Sequence, residues 1–160
     1  SIMLTRVVEV EFSYQNSRDT LRQMQQLTEQ LFTSAEMYVS SDSGERMKFT
    51  QLYTFLMERF AYTYESSVTP AWSLLCQGVG DSRAFAQVYA AMCSRIGLGA
   101  RVVSGKRDGE LRWWNLVRID GSWYHLDLLA SKQFAPMTDD LMTGYEWDRT
   151  AYPAAPSPGA

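Results

Sequence analysis

Along residues 6–14, Val8, Val10 and Phe12 alternate with Val7, Glu9 and Glu11. This is the two-residue period of a half-buried strand, so an edge strand is predicted at the start of the chain. From residue 19 the period changes. Leu21, Met24, Leu27 and Leu31 recur at close to 3.6 residues, which predicts an amphipathic helix running toward residue 40. Ser40-Ser41-Asp42-Ser43-Gly44 reads as the turn that follows. A second helix is predicted where Phe49, Leu52, Tyr53, Leu56 and Phe60 form one stripe, with Lys48, Gln51, Glu58 and Arg59 turned away. Thr69 as N-cap and Pro70 in the first helical position then predict a short helix that Gln77-Gly78 ends.

The third long helix, predicted over residues 82–96, is apolar on nearly every side. Phe85, Val88, Tyr89, Met92 and Ile96 are interleaved with Ala84, Ala86, Ala90 and Ala91, and such a helix has to be central. Beyond Gly97 the pattern becomes that of strands, at residues 100–104, 112–119 and 122–128, with Asp120-Gly121 between the last two as a hairpin turn. Helices first and a meander afterwards describe an α+β domain. Residues 137–152 end in Gly144-Tyr145-Glu146-Trp147-Asp148 and beyond, and their aromatics are expected to pack back on the body.

Composition narrows the classes. In 160 residues, 46% are apolar and 21% charged, enough for one packed domain and too little charge for a disordered chain. A net charge of −3 argues against nucleic acid as the main partner, and no apolar run is long enough for membrane insertion. Residues 1–152 are read as one domain, and residues 153–160, rich in Pro and Ala, as a linker or tail. A start without Met and that ending read as a piece of a longer protein. Cys76 and Cys93 are expected to be core residues or half of a fortuitous bridge.

Three short pieces carry the chemistry: Gly80-Asp81-Ser82-Arg83-Ala84-Phe85-Ala86 opening the central helix, Arg112-Trp113-Trp114-Asn115 on one strand, and Trp123-Tyr124-His125-Leu126-Asp127 on the next. Together they resemble the transglutaminase-like family of the papain-like cysteine protease superfamily, whose pieces read Gly-Asp-Cys before a helix, then His-x-Trp-Asn, then Trp-Tyr-x-x-Asp. The resemblance spans residues 48–127 and implies the transglutaminase-like, papain-like fold, with the central helix on an antiparallel sheet. It also implies a thiolate favoured by the helix dipole, an imidazole that moves its proton and an aspartate that orients the imidazole.

Position by position, the nucleophile falls on Ser82, the histidine on Arg112 and the aspartate on Asp127. Serine attacks only when a base removes its proton. Arginine, with a pKa above about 12, donates and does not accept, so Arg112 cannot be that base. An Arg112–Asp127 salt bridge is expected in place of a catalytic dyad. A Cys-to-Ser replacement made to silence a nucleophile explains Ser82 and leaves Arg112 unexplained.

Cys93 lies about 16 Å further along the helix than Ser82 at 1.5 Å per residue, too far to replace it. His125 is the lone histidine. It is expected to be structural, and a Ser82–His125 hydrolase, or an acyl-transfer enzyme altered at Ser82, is the runner-up. One histidine, two separated cysteines and the acidic pair Asp139-Asp140 assemble no metal set, and Gly78-x-Gly80 lacks the Lys-Ser/Thr of a phosphate loop, so neither metal nor cofactor is expected.

Alternation puts Arg112, Trp114 and Leu116 on one strand face, and Trp123, His125 and Asp127 on one face of the neighbour. By the family's geometry these faces are expected to meet the central helix, with Trp113 and Tyr124 pointing away. Trp113, Trp114, Asn115 and His125 are the candidate binding residues beside the cleft. The function expected is a non-catalytic module binding a protein, a peptide or a cell-wall glycan within a larger protein. The resemblance further implies secretion or cell-surface display, as in bacterial surface proteins, with a cytoplasmic location as the alternative.

Overall fold

The computed structural model describes residues 18–63, 74 and 78–158. The strand predicted over residues 6–14 and Cys76 lie outside the described residues. So does the short helix predicted after Thr69, apart from Leu74, which is helical and buried.

Helix α1 (Arg18–Tyr38) forms where the period predicted it. Its buried stripe is Met24, Thr28, Phe32 and Ala35, continued by Val39 just past its end, at spacings of three and four residues and displaced from the one predicted. Leu27 is left 44% exposed. Thr28 belongs to the stripe because its hydroxyl donates to the Met24 carbonyl at 2.8 Å, which hides its polarity. Helix α2 (Glu45–Arg59) buries Phe49, Leu52, Tyr53, Phe55 and Leu56 and ends one residue before Phe60. Helix α3 (Ser82–Arg95) is the central one, with Ala84, Phe85, Ala86 and every residue from Val88 to Cys93 buried. No helix among the described residues is long and apolar enough to cross a membrane.

Strands β3 (Ala100–Arg107), β4 (Glu110–Ile119) and β5 (Ser122–Leu126) form the meander. It is antiparallel throughout, in the order β5-β4-β3-β6, with the short strand β6 (Tyr145–Glu146) against Lys106 and Arg107. Both tight turns are Asp-Gly pairs with positive φ at each residue: Asp120 and Gly121 as predicted, and Asp108 and Gly109, which extend the first hairpin beyond its predicted limits. A second, two-stranded parallel sheet pairs β1 (Ala61–Tyr62) with β2 (Val79–Gly80), immediately before α3. Two-residue strands carry no readable period, so neither was predicted.

The four-stranded sheet is covered on both faces. On one, Val117, Ile119 and Leu126 join α3 and the other helices in the larger core. On the other, Val103, Trp114 and Leu116 are covered by residues 137–155, through Met142 and Ala155 with Tyr145, Trp147 and Tyr152. The aromatics of this strap thus pack back on the body. Residues 153–158, read from sequence as a linker or tail, lie on the same body: Ala155 is fully buried, and it exchanges N–H and C=O contacts with Asp139.

This two-sided burial corrects one expectation. Trp114, Leu116 and His125 face the strap, while Asn115, Val117, Tyr124 and Leu126 face the helices. Alternation fixes which residues share a face. It does not say which layer covers that face when both are apolar.

Candidate functional site

Ser82 sits at the first position of α3, held there by its neighbours. The Asp81 carboxylate accepts from the Ala84 amide at 2.9 Å and caps the helix. The β1–β2 pairing fixes the entry to the turn and brings Tyr62 alongside, through Ala61 N–H to Gly78 at 2.8 Å and Thr63 N–H to Gly80 at 2.9 Å. Ser82 is buried, and its Oγ accepts from the Trp113 amide at 3.3 Å. The hydroxyl is therefore anchored to the start of β4.

One residue along, Arg112 reaches the Asp127 carboxylate with both edges of its fork: Nε to Oδ2 at 2.9 Å and a terminal nitrogen to Oδ1 at 2.8 Å. The two side chains are 11% and 1% exposed. Burial alone pulls the Arg112 pKa down. The hydrogen bonds and charge of Asp127 outweigh it, and the net direction is upward. Asp127 takes two more donors, the Leu129 amide at 3.1 Å on Oδ1 and the Tyr145 hydroxyl at 2.6 Å on Oδ2. Burial and then Asp127 raise the Tyr145 pKa, so its phenol stays a donor. With four donors the carboxylate has no lone pair to offer a reaction, and the cation beside it cannot accept a proton.

His125 is fully buried, and both ring nitrogens are engaged away from Ser82. Nδ1 accepts from the Trp114 indole N–H at 3.0 Å, and Nε2 lies 2.7 Å from Asp139 Oδ1. An indole nitrogen only donates, so the proton of the neutral imidazole is on Nε2. The structure thus brings Ser82, Arg112, Trp113 and Asp127 to one end of the sheet and leaves His125 and Trp114 under the strap. Asn115 faces α3, its Nδ2 donating to the Ala86 and Arg101 carbonyls at 2.9 and 3.2 Å while its Oδ1 is buried with no partner. Tyr145, Leu129 and Asp139 were missed from sequence as partners of the site. They lie in stretches with no period, and Tyr145 is 18 residues from the carboxylate it binds.

A cleft of about 400 Å³ opens over this end of the sheet. Ser82, Arg112 and a half-buried Trp113 form part of its wall, Leu111 and Tyr62 add apolar surface, and Asp81, Asp108, Glu110 and Arg107 add charges of both signs. Arg83 lies over the Trp113 ring at 5.8 Å. A larger hollow of about 630 Å³ between Tyr53, Met57 and Leu129 shares only Tyr62 with the cleft and holds none of the motif residues. Chemistry, and not size, therefore marks the cleft as the site. Among the described residues no three His, Cys, Asp or Glu side chains are grouped to hold a metal ion.

A family model described as the transglutaminase-like superfamily matches residues 32–128. The chain belongs to that superfamily. Among solved structures, a TGase superposes with a TM-score of 0.58 at 14% identity, over 88% of this chain and 39% of the other. A candidate cysteine protease of Cytophaga hutchinsonii gives 0.55 at 17%, over 69% and 41%. LapG of Legionella pneumophila gives 0.56 at 12%, over 90% and 81%. These similarities establish the shared fold of transglutaminase-like and papain-like cysteine protease domains. The chain spans about two-fifths of the length of the first two. No curated protein sequence matches it.

Proposed function

We propose that this transglutaminase-like domain is a non-catalytic binding module, holding a protein, peptide or glycan segment in the cleft beside Ser82. The observation that carries this reading is the Arg112–Asp127 pair, in which a permanent cation occupies the position of a proton carrier and the carboxylate is saturated by donors. Among the described residues, the one hydrogen bond of the hydroxyl at the head of α3 is accepted from an amide N–H, which cannot take its proton. The Ser82–His125 alternative loses support for the same reason, since the imidazole's one acceptor nitrogen is spent on Trp114. A wall combining Trp113 and Leu111 with carboxylates and guanidinium groups suits a ligand with both apolar surface and hydrogen-bonding groups.

Amide and indole NMR spectra of the unmodified chain, titrated with extended peptides and separately with cell-wall glycan fragments, test the proposal. Saturable shifts at Leu111, Arg112 and the Trp113 indole are expected with one of the two, weakened in a Trp113→Ala variant. Shifts with neither, or turnover of an acyl substrate, contradict it.

A further inference from the structure

Strand β4 outruns β5, and the stretch left over lies in the cleft. The Asp120-Gly121 turn closes on the pair Ile119–Ser122, and the ladder between the two strands ends at Asn115–Leu126. A two-residue turn closes on a pair that exchanges both backbone bonds, and such pairs recur at every second residue. Ile119, Val117 and Asn115 therefore turn their N–H and C=O groups toward β5, while Glu110, Arg112 and Trp114 turn theirs toward Arg107, Gly105 and Val103 of β3. By the same alternation Leu111 and Trp113 point to the β5 side, where β5 has ended. The Trp113 amide agrees with this, since it meets Ser82 Oγ at 3.3 Å. Among the described residues, the Leu111 N–H, the Leu111 C=O and the Trp113 C=O have no hydrogen-bond partner. Leu111 is 65% exposed, and both residues line the cleft.

Taking the cleft as a binding site, as proposed above, we infer that it is a strand-addition site: an extended polypeptide segment, and not a glycan, lies along residues 111–113 and continues the sheet where β5 stops. Unpaired groups on a strand edge are matched by another peptide backbone, whose donors and acceptors repeat with the same period. A glycan carries hydroxyls but no alternating row of amides and carbonyls. Ser82 closes one end of the row. With its Oγ on the Trp113 amide, three bonds are left for the added strand, two at Leu111 and one at the Trp113 carbonyl. Side chains of that strand alternate between the faces of the sheet. Those on the helix side meet Leu111 and Trp113, and those on the other side pass Glu110 and Arg112. Arg112 is already neutralised by Asp127. The carboxylates of Glu110 and of neighbouring Asp108 form no ion pair among the described residues, since Arg107, opposite Glu110, lies over the Tyr145 ring. The occupant favoured is therefore a segment that alternates apolar and basic residues, such as Val-Lys-Val-Lys-Val.

That pentapeptide with blocked ends, its Val-Glu-Val-Glu-Val counterpart and a cell-wall glycan fragment are titrated separately into the full, unmodified chain. Hydrogen exchange at the Leu111 amide is the readout, because an added strand covers an N–H that has no partner in the free chain. Protection there is expected to rise at least about tenfold at saturation with the basic peptide, and the acidic one should bind at least about tenfold more weakly. Alternate amides of an added strand face β4 and the rest face away. Methylating the Val amides in one peptide and the Lys amides in another should therefore split, one abolishing binding and the other keeping it. Leu111→Pro deletes the edge N–H without touching the ladder to β3, and should lose the peptide. An equal effect of the two methylations, or a glycan that shifts the Trp113 indole while no peptide protects Leu111, overturns strand addition and leaves the binding reading standing. No response to any probe overturns both. The methylated pair decides the matter even should the proline variant not fold.

Discussion

Asp127 illustrates how one carboxylate is fixed by groups from three parts of the chain: β4 through Arg112, its own following turn through Leu129, and the strap through Tyr145. Removing the cation alone strands a buried charge. Arg112→Ala is expected to cost about 3–5 kcal/mol in urea unfolding. The paired replacement Arg112→Met with Asp127→Leu should cost far less, because no charge is left uncompensated. Equal losses for the single and the paired variant would refute this view of the pair. At this scale the ion pair was legible in sequence through the family resemblance, which puts residues 112 and 127 at the positions of a dyad and leaves an arginine and an aspartate there. The other two donors were not, because a phenol on a two-residue strand and a backbone amide after β5 leave no periodic trace.

Strand β3 depends on a close approach that only glycine permits. A Cβ added at Gly105 would run into the Glu146 carbonyl and come within 2.7 Å of the Trp114 ring. Gly105→Ala should therefore push β6 off the sheet and destabilise the fold by about 1–3 kcal/mol, with a changed Trp fluorescence reporting the displaced strap. Within α3, Cys93 is an unbridged, buried thiol whose pKa is raised by burial. It should react with thiol reagents no faster than the folded chain opens, with rates converging on those of free cysteine only in denaturant. Rapid labelling at neutral pH would contradict its place in the core. The helices and the β3–β5 meander were readable from period and turn chemistry. Which face met α3 was not, because Trp114 and Leu116 on one side and Val117 and Ile119 on the other are equally apolar. Helix α1 shows the same limit in small, with Thr28 buried where Leu27 was expected.

At the scale of the molecule, a sheet is held between a helical layer that presents Ser82 and a strap that saturates Asp127, with Arg112 bridging the two at the open end. The superfamily's fold is intact in this arrangement, and the positions that the resemblance assigns to a nucleophile and a proton carrier hold the alcohol of Ser82 and the guanidinium of Arg112, the latter paired with Asp127. The most direct test is the hydrolysis of p-nitrophenyl acetate by the unmodified chain beside its Ser82→Ala variant near neutral pH. Identical rates are predicted, neither traceable to residue 82. A rate that the alanine variant abolishes would contradict the account.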